Sequence, residues 1–212
     1  ASDLWDSGKV ASADTLLIPY AGRSLRSGDV VHWAVQAWDE TGRASAVSEV
    51  ARFCVGLLDQ TDWTAKWVAR ALVPPGGRFP PQDTVYDNPY WARPADFFRR
   101  ELTIAKPVRR ALVYATALGV YELQINGTIL GDQVLAPGWT DYHTRVEYQT
   151  YDATTFLQPG RNAIGAILGE GWYCGRVGYD GRRPGIHYGA RPALLCQVHI
   201  DYADGTREVI VT

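Results

Sequence analysis

An all-β protein is predicted by three features of the 212-residue sequence: runs of strict apolar/polar alternation, two hairpin dipeptides, and a turn-rich, aromatic-rich composition. The dipeptides are Asn126-Gly127 and Asp204-Gly205, and the 21 glycines provide for many further turns. Lys and Arg number 21 against 23 Asp and Glu, and no basic stripe stands out, so a nucleic-acid partner is not expected. No apolar run approaches the roughly 18–20 residues of a membrane helix, and the N-terminus lacks a signal-peptide layout, so neither a membrane partner nor a cellular address is read.

Residues 1–58 read as the last part of a small sandwich. Leu4 and Trp5 precede the turn residues Asp6-Ser7-Gly8, and Leu16 to Tyr20 supplies a second apolar run. From Val30 to Trp38 the residues alternate, with Val31, Trp33, Val35 and Ala37 on one face and His32, Ala34, Gln36 and Trp38 on the other. Asp39-Glu40-Thr41-Gly42 then turns the chain into a β-rich run from Ser48 to Val55. About four strands are counted where a complete sandwich of this kind uses about seven, so this unit is expected to be truncated and the chain to be a piece of a longer one.

Gly56-Leu57-Leu58-Asp59 and Asp62 to Trp67 mark a change of unit, and residues 59–212 form the second domain. Pro74, Pro75, Pro80, Pro81, Pro89 and Pro94 interrupt any ladder pairing over residues 73–94, which predicts a long irregular loop of functional type. From Phe97 the strand pattern is clean. Tyr121, Leu123 and Ile125 alternate with Glu122 and Gln124 before Asn126-Gly127, and Cys196, Val198, Ile200 and Tyr202 alternate with Gln197, His199 and Asp201 before Asp204-Gly205. Ala153 to Leu157 reads as one short turn, and the whole as a jelly-roll β-sandwich.

Catalytic templates are missing: the sequence holds no G-x-S-x-G, H-E-x-x-H, P-loop or dinucleotide-binding glycine pattern. Cys54, Cys174 and Cys196 share no metal-ligand spacing and read as core, and His32, His143, His187 and His199 have none either. No catalytic residue is assigned. Asp87-Asn88-Pro89 carries two readings: an Asx-Pro turn, or a pair of oxygen-bearing side chains for vicinal hydroxyls or a hard cation. Asp132 and the stretch from Leu135 to Tyr142 also carry two readings, a ligand site or an ordinary loop with a buried Trp. Trp91, beside the Asp-Asn pair, is the candidate stacking face for a sugar, whereas Trp139 is expected to pack in the core.

Several segments together resemble the N-terminal region of bacterial α-L-rhamnosidases of glycoside hydrolase family 78. They are Asp62 to Trp67, Ala117 to Glu122, Ile125-Asn126-Gly127, Leu135 to Tyr142, Tyr151 to Thr154, Gly169 to Tyr173, Tyr188-Gly189 and Tyr202 to Gly205. Residues 1–58, with Trp5 to Val10 and Trp38 to Gly42, resemble the fibronectin type III-like domain that precedes it. The resemblance implies a multidomain bacterial hydrolase whose two catalytic acids lie in an (α/α)₆ barrel missing from this chain. It also implies similarity to carbohydrate-binding module family 67, which holds L-rhamnose through calcium. Carried over, Asp87 and Asn88 match the sugar-contacting pair, and Asn88, Asp132 and the Pro137 carbonyl match calcium ligands. The expectation is a non-catalytic fragment that recognises rhamnose-containing glycosides or polysaccharides for that barrel; the alternative is a spacer that orients the barrel and binds no sugar.

Overall fold

The computed structural model describes residues 3–71, 94–175, 177 and 187–212. The chain divides into two units, Ala1–Asp62 and Trp63–Thr212.

In the first unit, β1 (Val30–Trp33) pairs antiparallel with β2 (Ala51–Cys54) in the register Val30 to Cys54. The strand read over residues 30–38 is shorter than its alternation predicts, and serine is the reason. The Ser48 hydroxyl accepts the Val35 N–H at 3.0 Å and the Ser45 hydroxyl accepts the Ala37 N–H at 3.1 Å, where a regular ladder would use carbonyls. The hairpin still closes at Asp39, whose carboxylate accepts the backbone N–H groups of Thr41 and Arg43 and the Thr41 hydroxyl. Val31 is buried, but Trp33 and Val35, expected on the same face, are 49 % and 57 % exposed.

The second unit is a sandwich of two four-stranded antiparallel sheets. Its strands are β3 (Asp96–Ile104), β4 (Val108–Leu118), β5 (Val120–Ile125), β6 (Thr128–Ile129), β7 (Gln149–Asp152), β8 (Gly160–Gly169), β9 (Ala193–Tyr202) and β10 (Arg207–Val211). One sheet has the order β10-β9-β4-β7 and the other β3-β8-β5-β6, so the chain crosses between layers repeatedly, as a jelly-roll does. One helical turn, α1 (Gly171–Cys174), follows β8.

Alternation places the core. Ala111, Val113, Ala115 and Ala117 of β4 and Val198 and Ile200 of β9 face Tyr121, Leu123 and Ile125 of β5 and Ala166 and Leu168 of β8. Each large aliphatic side chain buried there contributes about 1.5–3 kcal/mol. The two-residue turn forms as read, with Asn126 and Gly127 at φ 52° and 81° joining β5 to β6. The Asp204-Gly205 turn joins β9 to β10, and the short turn at 153–157 closes through Phe156 N–H to the Ala153 carbonyl.

One pattern differs: β9 is buried on both faces, although Gln197, His199 and Asp201 read as its outward side. Gln197 is covered by the chain at Thr64 and Ala65, whose N–H groups bond its side-chain oxygen. Asp201 is covered by Arg110 and Arg207, which bond its two oxygens. Cys174 and Cys196 are buried as expected, and Cys54 is partly buried.

Candidate carbohydrate-binding face

The loop of residues 130–148 joins β6 of one sheet to β7 of the other, and it carries every described site residue read from the sequence. Its course is set by contacts with the sandwich. The Tyr121 N–H bonds the Ala136 carbonyl at 2.9 Å, and Gln149 Nε2 donates to the Pro137 carbonyl at 3.1 Å. Behind this, Gln149 Oε1 lies 2.8 Å from the Tyr121 hydroxyl, which also meets the Tyr151 hydroxyl at 3.1 Å. Burial, then the Tyr151 neighbour, push the Tyr121 phenol well above its ordinary pKa, so it stays neutral in this network.

Ala136 and Pro137 are therefore buried, as are Leu130 and Tyr142 of the same loop. Asp132 stands exposed. Asp87, Asn88 and Trp91 lie outside the described residues. No cluster of three or more His, Cys, Asp or Glu side chains able to hold a metal occurs among the described residues.

Trp139 corrects the expectation of a core residue: it is 55 % exposed. With Ala136 and Pro137 tied inward, the loop turns back at Gly138, whose N–H bonds the Leu135 carbonyl, and Trp139 is left facing outward. There its ring lies parallel to that of Trp172 in α1, with planes within 4° and centroids 6.3 Å apart. Trp172 is partly buried.

A set of tyrosines holds the base of this pair. Tyr142 meets Tyr173 edge-on at 5.4 Å and Tyr188 at 5.1 Å, and its hydroxyl donates to the Gly138 carbonyl at 3.0 Å. The Tyr188 N–H bonds the Tyr173 carbonyl, which ties residues 187–190 to α1. His143 and His187 pack against Tyr188. The Asp141 carboxylate accepts the Thr144 hydroxyl and the His143 N–H, which holds its pKa below the usual carboxylate range and keeps the turn closed. Edge-to-face ring pairs add about 0.5–1.5 kcal/mol each beyond burial, so the cluster is a stiff support.

A charged pair lies next to Gly138. Glu147 lies 3.6 Å from Arg145, and its carboxylate oxygen reaches to 3.6 Å from where a side chain on Gly138 would begin, beside Trp139. An open cleft lined by Trp67, Leu118, Tyr173, Arg191 and Ala193 adjoins the cluster at Tyr173. Sequence reasoning did not find the pairing of Trp139 with Trp172, because the loop and α1 meet only through the folded sandwich. The one local signal was the aromatic density of Gly138 to Tyr142 and of Gly171 to Tyr173.

Comparison with known proteins agrees with this architecture. The family model of the α-L-rhamnosidase N-terminal domain matches residues 106–212, and that of the Rha78A-like N-terminal immunoglobulin domain matches residues 1–59. An α-L-rhamnosidase of Formosa agariphila is 34 % identical over 210 residues, covering 99 % of this chain and 22 % of that protein. The solved α-L-rhamnosidase of Dictyoglumus thermophilum is 37 % identical with a TM-score of 0.78, over 99 % of this chain and 22 % of the other. The Streptomyces avermitilis enzyme, solved in complex with L-rhamnose, is 26 % identical with a TM-score of 0.81, over 99 % of this chain and 35 % of its own. The chain thus spans about a fifth to a third of the length of these relatives.

Proposed function

The chain belongs to the α-L-rhamnosidase family as part of its N-terminal region, and from that premise we propose that it is a non-catalytic module recognising terminal L-rhamnose on glycosides or polysaccharides. Hydrolysis is assigned to an (α/α)₆ barrel outside these residues. The observation that carries the reading is the exposed, rigidly supported aromatic face on the same loop that bears Asp132 and Pro137. Sugar sites combine such faces with a few fixed polar groups.

Calcium is proposed as the bridging ion, with Asn88, Asp132 and the Pro137 carbonyl as ligands and Asp87, Asn88 and Trp91 contacting the sugar. The donor set is all oxygen, carboxylate, amide and carbonyl, which is the chemistry a hard cation takes. The Pro137 oxygen already accepts one hydrogen bond from Gln149 and retains a second lone pair. When bound, the ion would supply a charge to which sugar hydroxyls bind; the chain's own residues would orient the ring.

A spacer role is the second reading, and one finding favours it. Alignment with the Streptomyces avermitilis enzyme runs over 363 positions against 212 residues in this chain, leaving about 150 positions, a domain's worth, without counterpart. Rhamnose binding in that relative therefore need not use the part shared with this chain.

Isothermal titration with L-rhamnose, in calcium and again with a chelator, separates the readings. Binding that vanishes with the chelator and in Asp132→Ala supports the calcium module. Equal heats in both buffers reject the ion, and no binding in either leaves the spacer.

A further inference from the structure

We propose that Trp139 and Trp172 form a second saccharide position, independent of calcium, that takes two consecutive pyranose rings of a glycan by stacking. The calcium-bridged site rests on oxygen donors; this one rests on the geometry of two rings. Rings in direct face contact lie about 3.5–4.0 Å apart, so centroids at 6.3 Å in nearly parallel planes mean that the two indoles overlap little and leave apolar face uncovered. That face is offered to solvent by Trp139, which is 55 % exposed.

Pyranose rings present a patch of C–H groups on at least one face, and these carry the partial positive charge that the negative face of an indole attracts. Two parallel rings at this spacing accept neighbouring sugar units of one chain, which a single ring does not. The rim then reads the hydroxyls. Glu147, whose carboxylate lies by Gly138, the residue before Trp139, accepts from sugar hydroxyls, and Arg145, paired with it at 3.6 Å, supplies a planar donor. The backing is fixed before any ligand arrives: Tyr142 is tied to Gly138, the Glu147 carbonyl accepts the Thr116 hydroxyl, and Tyr188 is tied to Tyr173. A pre-arranged face loses little freedom on binding.

An interface with another protein surface would use the same rings, but it has no need of the Glu147–Arg145 pair next to Gly138. The test distinguishes the two. Indole N–H resonances of the full 212-residue chain are recorded during titration with α-L-rhamnopyranosyl-(1→2)-D-glucose, with chelator present throughout. The signals of Trp139 and Trp172, assigned from Trp139→Phe and Trp172→Phe, are expected to shift together. L-rhamnose alone should bind this face at least about tenfold more weakly, since it covers one ring. Trp139→Ala, at an exposed position, should abolish the shift of Trp172 without lowering the melting temperature, and Glu147→Gln should weaken binding several-fold. Asp132→Ala should leave the titration unchanged, so this site and the calcium site fail separately. No shift at millimolar disaccharide, or an unchanged titration in Trp139→Ala, overturns the proposal and leaves the rings to a protein interface.

Discussion

The side-chain oxygen of Gln197 accepts the backbone N–H of Thr64 at 3.0 Å and that of Ala65 at 3.3 Å, so a strand residue far along the chain caps the segment that opens the second unit. Because that oxygen is the acceptor, the Gln197 amide nitrogen is the donor, and it meets His199 Nε2 at 2.9 Å. His199 therefore presents an acceptor nitrogen there. Gln197 is fully buried, and the region has no buried side-chain N or O atom without a partner among the described residues. Gln197→Leu leaves two N–H groups unanswered, and the expected cost is about 2–3 kcal/mol. A denaturant midpoint lowered accordingly, with amide exchange quickened at Thr64 and Ala65, checks this; unchanged exchange there refutes it.

Asp201 makes the acid limb of stability predictable. The Arg207 guanidinium at 2.6 Å, followed by Arg110, holds its carboxyl below the usual carboxylate range against the opposing effect of burial. A depressed folded value means that its contribution is present above the unfolded carboxylate pKa of about 3.9 and disappears as pH falls through the folded value. Asp201→Asn should lower stability at pH 7 by about 2 kcal/mol, less than a fully enclosed pair because Arg207 is half exposed. The difference between the two proteins should shrink below pH 4 in chemical denaturation; a constant difference from pH 7 to pH 3 contradicts the assignment.

Gly119 joins β4 to β5 with φ at +137°, and a β-carbon there would lie 2.4 Å from the Gly169 carbonyl oxygen. Both the backbone angle and the neighbouring backbone exclude a side chain. Gly119→Ala is expected to cost more than about 2 kcal/mol, and it should disturb the end of β8 that leads into α1 and Trp172. A melting curve and the Trp172 indole resonance test both parts.

The cysteines should separate by reactivity. Burial pushes the Cys196 thiol up to about 12 and removes it from solvent, while Cys54 is partly exposed. Thiol-specific reagent at pH 8 should label Cys54 in the native chain and Cys196 only after unfolding. Native labelling of Cys196 at a comparable rate would show that the β9 core opens far more readily than its packing implies.

Much of the fold is local and was therefore legible in the residues. Period-2 alternation in β5, the positive φ that Asn126-Gly127 tolerates, and the apolar side of β9 each follow from neighbours a few positions apart, and together they yield an all-β chain with a jelly-roll-type second unit. The resemblance in Leu135 to Tyr142 and Gly169 to Tyr173 pointed to the right family for the same reason: short motifs survive in sequence. Orientation is another matter. Whether Trp139 faces the core or the solvent depends on Tyr121 and Gln149 tying down Ala136 and Pro137, and whether Gln197 is outside or buried depends on Thr64 reaching it. Those partners are distant in the chain, their energies are paid only once the sheets are stacked, and no periodicity records them. Local pattern was enough for the strands of the second unit and their two tight turns, though not for the end of β1 at Trp33; which aromatic rings meet was settled by the folded sandwich, because ring pairing is a property of loops brought together across two sheets.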